Sequence, residues 1–321
     1  MNIFLKLFII IIISAFSAIS VAGQKIAQVL NVQGSGVVLV DVSRGFVKIR
    51  GWDKDQVSLK GELDDAVKEF VFKNKDDKTL IQIVTKGRHQ WGDASVMQLL
   101  IPKNSRLKFK GIDTTFKLEE LYNGVDGKTI NGDLIIENTH KNIDVSSMSG
   151  SVKVIKSSGH ARIEVVNGSI DFSGKFNDVF LESMSGNIIA DVQEIDKLTI
   201  KNMSGITTIR GEIKDEARVH LKSVNGDIFY KNVGELNAEC KISSQFGGKI
   251  KNMLTKDLPE ISRLNQSNLS FVSGDGSGQL IINTVTGSIN IEGLDGLDEL
   301  EGQKRLERLK VLKAIEKDIN G

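Results

Sequence analysis

The side chains that could do chemistry here are a scatter of carboxylates, four histidines and one thiol, and their spacing decides whether they can. Asp133 and Asp227 each follow a glycine at equivalent places in a repeating pattern, but Ser151, Ser169 and Asn187 fill the equivalent positions between them. Asp144 and Glu164 fall on outward positions of alternating segments, close in register to Arg162 and Lys201. Polysaccharide cleavage on a β scaffold needs clustered carboxylates to hold a metal or an acidic sugar, with a Lys or Arg base beside them. This arrangement instead reads as a solvated face of mixed charge. His89, His140, His160 and His220 show no His-x-His or His-x-x-x-His spacing, so no metal site is visible. Cys240 has no base beside it and no Gly-x-Ser-x-Gly elbow occurs, which leaves nucleophilic catalysis unsupported. Gly274-x-Gly276-x-Gly278 superficially matches a nucleotide loop, yet the strand-like Leu280–Ile282 follows where a helix is required. The sequence therefore predicts no catalytic, cofactor-binding or metal-binding residue and no cofactor. One non-repeating element, 86–93, places Trp91 among Lys86, Arg88 and His89. It reads either as a contact anchor or as a Trp folded back over the core.

Composition narrows the classes further. The 321 residues carry 42 Lys+Arg against 41 Asp+Glu, so the basic surface that phosphate-backbone binding uses is absent. A lone cysteine excludes an internal disulfide framework. Thirty-one glycines and two prolines suit many tight turns between strands whose N–H groups are all needed. Residues 1–22 have a short start carrying Lys6, an apolar run over Leu7–Ile13 and Ser20-Val21-Ala22 before Gly23. That is the layout of a cleaved secretory signal peptide. The rest of the chain has no comparable apolar run, so no integral membrane span is expected after cleavage.

The elements that would position any site come from a repeat. A small polar residue and a glycine, followed by an apolar alternation, recur at Gly132, Gly150, Gly168, Gly186, Gly205 and Gly226, at intervals of 18, 18, 18, 19 and 21 residues, and again at Gly287. Five and seven residues before the glycine stand pairs such as Val145/Ile143 and Leu181/Val179; two and four after it stand Val152/Val154 and Ile170/Phe172. Two residues before it the series is Ile130, Met148, Val166, Met184, Met203, Val224 and Val285, and so many apolar residues in one register read as core. Units of this length cannot bury an apolar face alone and must stack. The prediction is an all-β fold, a parallel β-solenoid (β-helix-like) with about 18–21 residues per coil. The Ser or Asn before each glycine is expected to bond the turn. The domain plan is 1–22 signal peptide, 23–110 strand-rich and continuous with the repeats, 111–293 β-solenoid, and 294–321 an amphipathic C-terminal α-helix, with apolar residues from Leu300 to Ile319 at helical spacing.

Gly51-Trp52-Asp53-Lys54-Asp55, the strand end Leu99-Leu100-Ile101-Pro102, the series of Ser-Gly and Asn-Gly corners, and Phe271-Val272-Ser273-Gly274-Asp275-Gly276 together resemble the bacterial putative adhesin family. These are exported β-strand-repeat proteins that carry a domain-of-unknown-function label, and the resemblance runs over roughly residues 30–292. It implies a β-helix-like fold and an extracytoplasmic location, periplasmic or cell-surface, and supplies no catalytic residues. The function expected is that of a non-enzymatic, adhesin-like envelope binding or scaffold protein whose partner is an envelope protein or glycan, with no nucleic-acid partner. The alternatives are a carbohydrate-active β-helix enzyme of polysaccharide lyase type, or an accessory of envelope stress signalling acting through the tail.

Overall fold

Alternation with period two commits a segment to strand, because it sorts side chains to the two faces of a pleated chain. The computed structural model describes residues 24–86 and 94–294, which form one 21-stranded sheet. The unit predicted from the glycine corners sets its register. Val145 lies opposite Ile163, then Leu181, Ile200 and Leu221 in successive parallel strands. Leu134, Val152, Ile170 and Ile188 form a second such row. All nine are buried, so each unit closes the apolar face of the one before it.

The architecture corrects the predicted β-solenoid. Arg106–Glu119 and Val152–Asn167 are long strands, and each pairs along its two halves with different partners. Pairing therefore runs from Arg106–Glu119 to Val125–Asn131, to Asn142–Ser149, to Val152–Asn167, to Leu134–Glu137 and back to Arg106–Glu119. This ring is a closed five-strand parallel barrel, and the remaining strands are added outside it. The bend that lets one strand serve two neighbours lies between Lys156 (φ 52°) and Gly159 (φ 118°), where the pairing register also shifts.

Nor is the sheet uniformly parallel. At the N-terminal end, Gln24–Asn31, Gln56–Leu63 and Ser95–Pro102 pair antiparallel, as do Val67–Lys75 and Lys78–Thr85. At the other end Ser267–Ser273 runs antiparallel to Ala238–Ser244. Gly278–Thr284 then inserts between Thr207–Asn225 and Ala238–Ser244, parallel to both. The blurred period after Gly226 reflects this doubling back. Among the described residues there is no α-helix, and no helix long and apolar enough to cross a membrane. The expected tail helix at 294–321 lies outside the described residues except for Leu294, which ends the strand Ile289–Leu294; the signal peptide and residues 87–93, with Trp91, also lie outside them.

Candidate functional site

The corners of the repeat invert the usual sorting of side chains. Positions seven and five before the glycine point inward, so parity sends position three inward and position two outward. The inward set is Thr129, Ser147, Val165, Ser183, Asn202 and Ser223, all but one of them polar and all buried. Three of them, Thr129, Ser183 and Asn202, donate to backbone carbonyls of the neighbouring unit. Asn202 Nδ2 donates to Gly186 O at 3.1 Å and Ser183 Oγ to Gly168 O at 3.4 Å. Thr129 Oγ1 donates to Thr114 O at 3.2 Å.

The outward set is the apolar series read above as core, and the structure corrects that reading. Ile130, Met148, Val166, Met184, Met203 and Val224 are 37–54% exposed, and Ile112 extends the row. Flanking pairs such as Ser147↔Val165 and Ser149↔Asn167 place Met148 beside Val166, and the same holds up the stack to Val285 beside Val224. With neighbouring strands about 4.8 Å apart, eight side chains make a ladder roughly 34 Å long. The lower part lies in a shallow groove of about 780 Å³ that includes Ile112, Ile130, Met148, Val166 and Met184. Lys110, Lys128, Glu164 and Glu182 stand along it. The strip is contiguous and half-exposed along its length. Methionine and branched aliphatics give such a strip no directional hydrogen bonds, so it suits another apolar surface.

Of the residues singled out for chemistry, Asp144, His160 and Arg162 line one shallow pocket with Asp178 and Lys197, and the others lie apart from it. Asp133 Oδ1 accepts from Ser151 N–H at 2.8 Å, and Asp227 Oδ1 accepts from Ser288 N–H at 2.8 Å. Asn187 Oδ1 takes the Ile206 N–H at 2.9 Å in the same way. At these corners the residue after the glycine joins one corner to the next, and at the last the residues before it also meet, Thr286 Oγ1 donating to Asn225 Oδ1 at 3.2 Å. Glu164 is bonded to Arg162, whose guanidinium lies 4.4 Å from the Phe180 ring centre. Lys201 stacks on the other neighbour side of that ring at 5.1 Å and pairs with Glu182 at 3.7 Å. Asp144 lies in the row with Arg162 and Phe180. His140 Nδ1 lies 2.7 Å from Ser158 Oγ, with its ring edge-on to Tyr122. His220 Nε2 lies 3.2 Å from Gln279 Oε1. His89 lies outside the described residues. Among the described residues no group of three or more His, Cys, Asp or Glu could hold a metal.

The local electrostatics match this picture of structural side chains. Burial alone would raise the Glu119 carboxyl, but hydrogen bonds from Lys117 at 2.8 Å and Lys48 at 3.0 Å hold it below the ordinary carboxylate range. In the Gly274–Gly278 loop, Asp275 accepts from Ser277 N–H at 3.0 Å and its carboxyl is held low by that bond. The loop leads directly into Gly278–Thr284, a strand. Cys240 is fully buried, and burial followed by the nearby Glu239 charge pushes its thiol up to about 12. A thiol with so little thiolate is unreactive. Cys240 should therefore resist a disulfide reagent such as Ellman's in the native protein and react stoichiometrically once the chain is unfolded; fast native labelling would contradict its placement.

No known family model matches the chain, and no curated protein does either. Among solved structures it is similar to a putative adhesin from Parabacteroides merdae, at 11% identity over 85% of this chain and 97% of that one, with a TM-score of 0.49. A putative adhesin from Bacteroides fragilis aligns at 15% identity over 84% and 97%, with a TM-score of 0.46. A putative lipid binding protein from Parabacteroides distasonis aligns at 11% identity over 84% and 97%, with a TM-score of 0.34. Two of these three structures are named putative adhesins. Superposition this loose transfers no activity to the chain.

Proposed function

We propose that this chain is an exported, non-enzymatic binding protein of the bacterial envelope, adhesin-like in that it holds a partner rather than transforms one. The observation that carries the reading is the apolar ladder from Ile112 to Val285. Its occupant is an envelope protein that presents an apolar face of matching length. A glycan would leave its hydroxyls against side chains that neither donate nor accept hydrogen bonds, a costly desolvation. The engagement of Asp133, Asp227, Glu164 and Lys201 in structural contacts supports the absence of catalysis. The signal-peptide layout of residues 1–22 supports export, with the repeat-bearing region to 293 as the exposed scaffold.

The test is photocrosslinking in cells from single positions. A photoreactive residue at Met184 should yield one reproducible adduct with an envelope protein, and the same residue at Lys153, on a strand segment beyond the corner, should not. The adduct partner, once purified, should bind the isolated chain. Equal adducts from both positions, or adducts at neither, would refute the ladder as the docking surface.

A further inference from the structure

The C-terminal end of the sheet carries the most exposed apolar side chains among the described residues. Leu258 and Leu264 are each 84% exposed, Ile261 70% and Phe246 65%. Their segment is built into the fold. Gly247 N–H donates to Asn265 O at 3.1 Å, Glu260 pairs with Asn268, and Asn252 Nδ2 donates to Thr255 Oγ1 at 2.8 Å and to Asp257 O at 3.0 Å. Leucine held open to water at such exposure costs solvation that an unconstrained segment would avoid by folding inward.

The charges around this tip have one sign in excess. Lys249, Lys251, Lys256 and Arg263 are exposed and form no ion pair among the described residues. Asp257 accepts from the Thr255 hydroxyl at 2.8 Å, and Glu260 is the other acid. Exposed apolar side chains interspersed along the chain with exposed cations match a membrane surface in which the aliphatic groups reach the acyl boundary and the cations meet anionic headgroups. A second copy docked tip to tip would bring those four cations against their own equivalents. A soluble acidic partner would satisfy the cations and leave the leucines wet.

We propose that Phe246, Leu258, Ile261 and Leu264, with the surrounding lysines and arginine, form a lip that docks the protein on an anionic lipid bilayer. This surface begins where the Met/Val/Ile ladder ends, with Phe246 N–H donating to Val285 O at 2.9 Å, and is tested by variants of its own.

The experiment is co-sedimentation of the processed chain, recovered from an exporting host, with phosphatidylcholine vesicles that contain either no anionic lipid or about a third phosphatidylglycerol. Binding to the anionic vesicles should be strong and should weaken several-fold when salt rises from about 0.05 to about 0.5 M. Leu258→Ser/Leu264→Ser should weaken it about tenfold or more, as should Lys251→Glu/Lys256→Glu, with the melting temperature unchanged because all four side chains are exposed. Serine at Met148, Met184 and Met203 should leave vesicle binding intact. Undiminished binding by the double leucine variant would overturn the proposal, as would absence of binding to anionic vesicles. So would a dimer, seen by analytical ultracentrifugation, that the leucine variant dissolves, since that would assign the lip to a second copy of the chain.

Discussion

Gly186→Ala should destabilise the protein by about 3–5 kcal/mol, enough to lower the urea midpoint drastically or abolish folding. The corner glycines stack directly on one another, and at Gly186 the chain has φ +147°. A Cβ there would lie 2.1 Å from the carbonyl oxygen of Gly168 and 2.6 Å from its carbon. Both contacts are with backbone that is itself fixed by the Gly168 N–H bond to Ser185 O, so relief requires the stacked units to separate. Gly247→Ala is the matched control. Its φ of +73° is also left-handed, but no atom lies within 4 Å of the new Cβ. Only the backbone preference is then lost, about 1–2 kcal/mol. Urea unfolding followed by circular dichroism measures both, and comparable losses for the two variants would refute the stacked-corner account.

The second large effect is on binding. With Met148, Met184 and Met203 all replaced by serine, affinity for the crosslinked partner should fall by roughly 100-fold or more. Each methionine offers on the order of 50 Å² or more of apolar surface, worth about 1 kcal/mol or more at 25 cal/mol/Å², and three add to about 3–5 kcal/mol. The melting temperature should hold, because these side chains are 46–54% exposed and contribute little to the core. Titration calorimetry or surface plasmon resonance against the purified partner reads the first quantity and calorimetric melting the second. Retained affinity would remove the ladder from the binding surface. Lost affinity accompanied by a lowered melting temperature would mean that the row is structural after all.

Much of the fold was legible because repetition multiplies a weak local signal. A single Ser-Gly or Asn-Gly step says little; six of them at near-constant spacing specify which residues lie opposite one another, and Val145, Ile163, Leu181, Ile200 and Leu221 do so. The outward direction of Met148 and its equivalents was also present in the parity of the strand. Apolar identity argues for burial, but the alternation from Ile143 and Val145 sends Ser147 inward and Met148 outward, and the alternation prevails. The buried serines and threonines gave no separate warning, since small polar residues next to glycine look like ordinary turn chemistry until corner carbonyls are seen to need donors.

What the sequence determined alone is the local and the repeated: the strands, the inward rows and the conformation of the glycine corners. What only the tertiary structure decided is how long strands divide their edges among neighbours. Closure of the five-strand ring depends on Arg106–Glu119 and Val152–Asn167 each bending to serve two partners. The insertion of Gly278–Thr284 between Thr207–Asn225 and Ala238–Ser244 depends on the chain reversing through Ser267–Ser273. Any strand of suitable alternation can hydrogen-bond to any free edge, because backbone donors and acceptors are the same in every residue. The choice among edges is made by the apolar rows that each pairing buries together, a property of the assembled molecule rather than of any one segment.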